Sequence, residues 1–105
     1  MFFISGCTAR GTESQGKLVT DQLRITLDRL TRIVAAEGGA PGDIVKITTY
    51  VTSARFAEWR SSSSETQALF VEYFKGDYPT NTFVVIDALA EPGLDVEIDA
   101  IAVLD

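Results

Sequence analysis

Three carboxylates alternate with other residues in the stretch DVEIDAIAV near the end of the chain, and this spacing suggests a site for proton transfer. If the stretch is a β-strand, Asp95, Glu97 and Asp99 share one face at spacings of roughly 6.6 Å. Like charges this close repel each other unless water or a cation relieves them. A carboxylate that burial keeps partly protonated can both accept and donate a proton. This carboxylate face is therefore the first candidate site.

The composition excludes several classes of partner and chemistry. The 105 residues suffice for one domain with one core, and so small a chain gains from burying further surface in an oligomer. The net charge of −6 and the scattered basic residues argue against nucleic acid and against an acidic membrane surface. The chain has no histidine, and hence neither the usual general base near neutral pH nor the usual zinc ligand. We expect no metal and no cofactor.

The chain carries no signal for export or for membrane insertion. Cys7 is the only cysteine, so an internal disulfide is not possible. The unbroken apolar runs are far too short to cross a bilayer, and the start MFFISG lacks the basic and long apolar parts of a signal peptide. These features predict a cytoplasmic protein.

The first half of the chain reads as strand, loop, helix and strand. FFIS is a short β-type run that ends at Gly6, and residues 8–17 are polar and carry two glycines. Thr20 or Asp21 is a good N-cap for the helix that follows. The apolar stripe of this helix has helical spacing and consists of Leu23, Leu27, Leu30 and Val34. Residues 43–52 are rich in β-branched side chains and predict a strand.

The second half reads as helix, strand, turn and strand. A second helix is predicted from about residue 56 to 74, with an exposed or irregular turn at Ser61–Ser64 because four serines have low helix propensity. Strands are predicted at 82–90 and 95–103, with a turn at 91–94 between them. Two helices and four strands in this order predict a single α+β domain over residues 1–105.

Four segments, in this order and spacing, resemble the Rid (YjgF) family of small enamine/imine deaminases. They are FISG, GDIVKITTYVT, FVEYF and VEIDAIAV, and together they cover almost the whole chain. The resemblance implies a chorismate-mutase-like two-layer sandwich, in which two helices cover one face of a mixed sheet. It also implies a homotrimer with a small-molecule ligand at each subunit interface. A physical argument agrees with this, since the uncovered face of the sheet needs a partner.

The resemblance assigns roles to two residues. EIDAIA matches the family pattern E-I-E-A-I-A, so Glu97 is expected to position the water that attacks the imine carbon. The family pattern P-A-R-S falls on PTNT, so Asn81 stands where active relatives use an arginine to clamp a substrate carboxylate. A simple 2-imino acid is therefore not expected as the substrate. Without the resemblance, Glu97 is only a polar residue on a solvated strand and Asn81 only a turn residue.

Four further positions are expected to contact the ligand. Ser5 and Gly6 match the family's S-G pair, Cys7 follows them, and Gln67 falls where many relatives have a pocket asparagine. Each has a structural alternative: a glycine required by the backbone at a strand end, a small buried thiol, or a polar residue on a helix surface. Arg10 or Arg55 could replace the missing arginine, although a solvated arginine explains each equally well.

Two functions of different classes fit the sequence. The first is a deaminase that hydrolyses an enamine or imine with Glu97, and the second is a non-catalytic metabolite-binding or protein-interaction trimer on the same scaffold. A chorismate-mutase-type enzyme would need a cluster of arginines around a dianion, which the sequence does not offer. Relatives usually carry one more strand, with a pocket tyrosine, before FISG. The sequence begins at Met1 without this N-terminal strand, so either its start is misplaced, or the chain is shortened, or the pocket is more open than usual.

Overall fold

The strands of the chain form one mixed sheet. A computed structural model describes residues 1–104, and its strands are β1 (Phe2–Cys7), β2 (Ile44–Thr52), β3 (Thr80–Ile86) and β4 (Val96–Ala102). The order across the sheet is β1-β4-β2-β3. Strand β4 is antiparallel to β1 and β2, whereas β3 is parallel to β2. The predicted α+β class with a mixed sheet is confirmed.

The helices lie on one face of this sheet. They are α1 (Val19–Ala36), α2 (Phe56–Ser61) and α3 (Ser63–Phe74). The predicted apolar stripe of α1 is fully buried against the inward-facing residues of the sheet, which include Ile47, Val51, Val96 and Ile98. Burial of each such side chain contributes about 1.5–3 kcal/mol relative to exposure. No helix within residues 1–104 is long and apolar enough to cross a membrane.

The start of α1 differs from the prediction. The helix begins at Val19, and its N-cap residue is Leu18, which has no side-chain oxygen to accept a hydrogen bond. A carboxylate from α2 takes that role, because Glu58 Oε2 accepts the Val19 N–H at 2.7 Å. The prediction of Thr20 or Asp21 as N-cap is wrong, since a tertiary contact replaces the local cap.

The serine run interrupts the second helix as predicted. Helix α2 ends at Ser61 and α3 begins at Ser63, so that Ser62 lies in the break. The Ser61 hydroxyl donates to the Glu58 carbonyl at 3.0 Å, which competes with the helical hydrogen-bond pattern. Helix α3 ends at Phe74, as predicted, and Lys75 follows in a left-handed conformation with a φ of 53°.

Strand β3 begins two residues earlier than predicted and ends at Ile86. Residues 80–82 pair in register with residues 46–48 of β2, and this parallel ladder extends β3 toward its start. Residues 87–90, predicted as strand, belong to the loop before β4. The ladder with β2, rather than the local apolar pattern, determines the limits of β3.

A bulge at the end of β1 requires glycine. The register with β4 shifts between Ile4 and Cys7, and Gly6 has a φ of +74°. A Cβ atom added to Gly6 would meet no heavy atom within 4 Å, so only the backbone conformation restricts this position. The Gly6 N–H donates to Asp99 Oδ1 at 2.7 Å. The bulge is therefore attached to the middle of β4.

Substitution of Gly6 tests this explanation. Gly6→Ala is expected to lower the free energy of unfolding by about 1–2 kcal/mol, because the left-handed conformation is strained for a residue with a Cβ. Gly6→Asn is the matched control and should cost less, since asparagine tolerates this conformation. Urea unfolding of the three proteins measures the difference. Equal losses in the two variants would show that the conformation is not the cause.

Candidate functional site

The face of the sheet opposite the helices carries two of the three carboxylates. Val96 and Ile98 of β4 point into the core and are fully buried, so Glu97 and Asp99 point away from the helices. Tyr50 lies directly across from Glu97 on β2. All three polar side chains are half-buried. We call this surface the open face.

Asp99 has partners on the open face. Its Oδ1 accepts the Gly6 N–H, and its charge lies close enough to Tyr50 to act on the phenol. Desolvation first, and then the charges of Asp99 and Glu97, raise the pKa of Tyr50. Asp99 therefore holds the β1 bulge and gives this part of the open face a negative charge.

Glu97 differs from both neighbouring carboxylates. Within residues 1–104 its carboxylate has neither a hydrogen-bond partner nor an ion pair, although the side chain is half-buried. Burial, and then the charge of Asp99, raise the pKa of Glu97 above its ordinary value. A partly desolvated carboxylate without a partner is available to a ligand, and its raised pKa suits proton transfer.

The third carboxylate belongs to the structural framework. Asp95 precedes β4, and its side chain, only 14% exposed, turns toward the helices. Its carboxylate accepts hydrogen bonds from Thr52 Oγ1 at 2.9 Å and from Gln22 Nε2 at 3.1 Å, and Arg55 Nη1 lies at 3.5 Å. The expectation that Asp95 shares the carboxylate face is wrong, because the strand alternation begins only at Val96.

Removal of the Asp95 charge should destabilise the protein. Asp95→Asn is expected to lower the free energy of unfolding by about 1–3 kcal/mol, because buried Gln22 and the Arg55 guanidinium lose a charged partner. Asp87→Asn is the control, since Asp87 is an exposed acid in the same loop. Thermal unfolding of both variants measures the effect. A Tm of Asp95→Asn that equals the Tm of Asp87→Asn would contradict the structural role.

Asn81 lies on the opposite face from Glu97. In β3 it pairs with Ile47, a core residue, so its side chain is on the helix side of the sheet. The Thr49 hydroxyl donates to Asn81 Oδ1 at 3.0 Å, which leaves the amide N–H groups directed outward at an exposed edge strand. One chain therefore cannot present Glu97 and Asn81 to the same small ligand.

Comparison with known proteins identifies the chain. Residues 1–104 match the family described as Endoribonuclease L-PSP. The chain belongs to this family. It is 35% identical over 86 residues to the "Putative reactive intermediate deaminase TdcF" of Escherichia coli strain K12. That alignment covers 81% of this chain but only 63% of the relative's length.

Solved structures agree with the family assignment. YyfB of Yersinia pestis, a protein of unknown function in the conserved Rid family, aligns at a TM-score of 0.79 and 28% identity, over 98% of this chain and 77% of its own. E. coli TdcF with bound serine aligns at a TM-score of 0.75 and 28% identity, over 98% of this chain and 80% of its own. The resemblance to the Rid family seen in the sequence is confirmed, and so is the fold it implies.

The other residues predicted from the Rid family lie in different places. Ser5 is exposed on the open face and lines a cavity of about 300 Å³ together with Asp99. Gly6 offers this face only its backbone. Cys7 is 6% exposed within the core, and burial, followed by the charge of Asp99, raises the pKa of its thiol. Gln67 is exposed on α3 in the helix layer, on the far side of the sheet from the open face.

The two arginines considered as replacements for the family arginine are both paired. Arg10 Nε lies 2.7 Å from Glu91 Oε2, and Arg55 Nε lies 2.9 Å from Glu58 Oε1. Each guanidinium is paired with a carboxylate of its own chain. Residues 1–104 also contain no cluster of three or more potential metal ligands among His, Cys, Asp and Glu.

Proposed function

We propose that the protein is a Rid-type deaminase that hydrolyses an imine, or the enamine that tautomerises to it. The observation that carries this proposal is the unpartnered, half-buried Glu97 carboxylate, whose pKa is raised, on the open face of a Rid-family fold. The relative TdcF is named a "Putative reactive intermediate deaminase", and a structure of that protein contains bound serine; both support the proposal.

Glu97 serves as proton acceptor and then as proton donor in this reaction. It takes a proton from a water molecule, whose oxygen forms a bond to the imine carbon while the C=N electron pair moves to nitrogen. Glu97 returns this proton to the nitrogen. It then takes the proton of the new hydroxyl group and passes it to the nitrogen as the C–N bond breaks, so that the carbonyl forms and ammonia leaves. A carboxyl group with a raised pKa performs both transfers more readily than one that is fully ionised.

The pocket lies between two copies of the chain. Glu97 and Asn81 are on opposite faces of one sheet, so a ligand that touches both must lie between the open face of one copy and the β3 edge of the next. A closed ring of copies, such as the homotrimer expected from the family, repeats this contact at every interface. It also covers the apolar side chains of the open face, including Phe3, which is 70% exposed.

Two features of the chain restrict the substrate. Asn81 can donate a hydrogen bond but carries no charge. With Asn81 in place of a buried arginine, an anionic ligand loses on the order of 2–5 kcal/mol of binding free energy, because no arginine–carboxylate pair can form. The net charge of −6 also opposes binding of RNA, so we do not extend the endoribonuclease description of the family to this chain.

Hydrolysis of a freshly generated 2-imino acid tests this function. Semicarbazide competes for the imine, so an active protein lowers the rate at which the semicarbazone forms. Wild type is expected to act weakly on 2-iminopropanoate. Asn81→Arg is expected to act at least tenfold faster, because a charge-assisted pair with the carboxylate becomes possible. If neither wild type nor Asn81→Arg hydrolyses this or any other imine, the non-catalytic metabolite-binding or protein-interaction trimer would be favoured.

A further inference from the structure

Three aromatic rings cluster at Phe83, which is close to Asn81 on β3. Phe83 follows Asn81 by two residues and points to the same side of β3, opposite Thr49. The Phe83 ring centroid is 5.5 Å from that of Trp59 and 6.0 Å from that of Phe56. Phe83 nevertheless remains 39% exposed. We call these three residues, Phe56, Trp59 and Phe83, the aromatic wall.

The polar group at this wall is an uncharged donor. The Asn81 amide oxygen is occupied by the Thr49 hydroxyl, and Thr49 is fully buried, which fixes the orientation of the amide. The outward N–H groups can therefore donate to an acceptor on a ligand that lies against Phe83. Aromatic rings prefer offset or edge contacts with other flat groups, and such contacts add to the effect of simple burial.

The charges around the proposed pocket disfavour an anion. The facing wall, from the next copy, carries the carboxylates of Glu97 and Asp99. Lys46 is also on the open face, where it lines the cavity with Asp99 and donates to Thr82 Oγ1. It lies four residues from Tyr50 and hence about 13 Å along the strand from Glu97. Arg60 lies 5.7 Å from the Phe56 ring centroid at the exposed outer side of the aromatic wall. An anionic substrate at Glu97 would thus meet two carboxylates, whereas Lys46 lies farther along the strand and Arg60 is an exposed side chain.

We infer that the pocket selects an imine that has no carboxylate and carries a flat aromatic group, which packs against Phe83. This inference rests on the proposed function and specifies its substrate class. Phenylacetaldimine is a representative: water adds to its carbon, the C–N bond breaks, and phenylacetaldehyde and ammonia are formed. No oxidant or reductant is consumed in this step.

Three imines made in situ separate the effects of ring and charge. A flavin amine oxidase converts phenylethylamine to phenylacetaldimine, and an amino-acid oxidase converts phenylalanine and alanine to the corresponding 2-imino acids. Semicarbazide trapping then gives kcat/KM for each. Wild type is expected to prefer phenylacetaldimine to 2-imino-3-phenylpropanoate by about tenfold or more, which corresponds to loss of one repulsive carboxylate contact.

The Phe83→Leu variant tests the role of the ring. We expect its kcat/KM to fall about tenfold for phenylacetaldimine and to change less than about twofold for 2-iminopropanoate, which has no ring. Phe70→Leu is the control, because Phe70 stacks on Phe74 within α3, with ring centroids 6.3 Å apart. It removes an equivalent ring and should leave the substrate preference unchanged.

Several outcomes would overturn the inference. The first is a higher kcat/KM of wild type for the carboxylated imines; if Arg60→Gln abolishes that preference, Arg60 is what binds the carboxylate. The second is an equal loss of kcat/KM on all three imines in Phe83→Leu. A change in oligomeric mass in Phe83→Leu would identify the ring as interface packing instead. If wild type hydrolyses none of the three imines, the proposed function fails as well; Glu97-dependent hydrolysis with the opposite preference refutes only the substrate class.

Discussion

Replacement of Glu97 by glutamine is expected to lower the rate of imine hydrolysis by about 100- to 10,000-fold. The same change should stabilise the fold near neutral pH. Burial and the charge of Asp99 raise the pKa of Glu97 in the folded protein, so the ionised carboxylate is less favourable there than in the unfolded chain. Glutamine has nearly the same shape but neither ionises nor transfers a proton. Loss of activity with a gain in stability distinguishes a catalytic residue from a structural one.

The pH dependence of this stability difference has a definite sign. Because the folded pKa of Glu97 lies above its ordinary value of 4.5, the folded state binds the proton more tightly than the unfolded state. Wild type should therefore lose stability relative to Glu97→Gln as the pH rises from 4.5 through the folded pKa. Above that pKa the difference should be constant. Urea unfolding of both proteins across this range measures it.

Asp99→Asn is the matched control for Glu97→Gln, since it removes one carboxylate two residues away on the same face. It should retain most activity, because Asp99 holds the Gly6 N–H and does not transfer protons. Asp99 also raises the pKa of Glu97, so its removal should move the acidic limb of the pH–rate profile to lower pH. Full activity in Glu97→Gln, or an equal loss in Asp99→Asn, would remove Glu97 from the mechanism.

The sequence predicts those parts of the fold that depend on local periodicity. The leucine stripe of α1 and the alternation of β4 are both borne out, and the alternation alone directs Glu97 and Asp99 away from the core. The predictions of the α1 N-cap and of the Asp95 side-chain position were wrong, because each of these features depends on a residue far along the chain. Glu58 is 39 residues from Val19, and Gln22 is 73 residues from Asp95.

The candidate site depends on strand register, which the local pattern does not contain. Tyr50 is a neighbour of Glu97 only because β2 and β4 pair in one particular register. Asn81 lies on the helix side only because it aligns with Ile47 in the parallel ladder. The contact of Phe83 with Trp59 likewise needs α2 and β3 to meet. The family resemblance suggests which residues matter, whereas the register shows which of them can share a ligand.

A mixture of two inactive variants should recover activity if the pocket lies between copies. Glu97→Gln disables one wall of the pocket and Asn81→Asp disables the other, since aspartate keeps the oxygen that Thr49 binds but replaces the N–H donors by a charge. In a closed ring, each site takes one wall from each of two neighbours. Random mixing of the two variants then restores both intact walls at about a quarter of the sites.

The recovery requires exchange of subunits, so the variants are co-expressed or refolded together, and imine hydrolysis is compared with that of each variant alone. A mixture of Glu97→Gln with the double variant, which also carries Asn81→Asp, is the control and contains no intact site. Activity near a quarter of wild type in the first mixture and none in the second requires that two copies build the site. No recovery, in a mixture whose hetero-oligomers are verified by mass spectrometry, would mean that Glu97 and Asn81 never serve one ligand, because a chain alone holds them on opposite faces of its sheet.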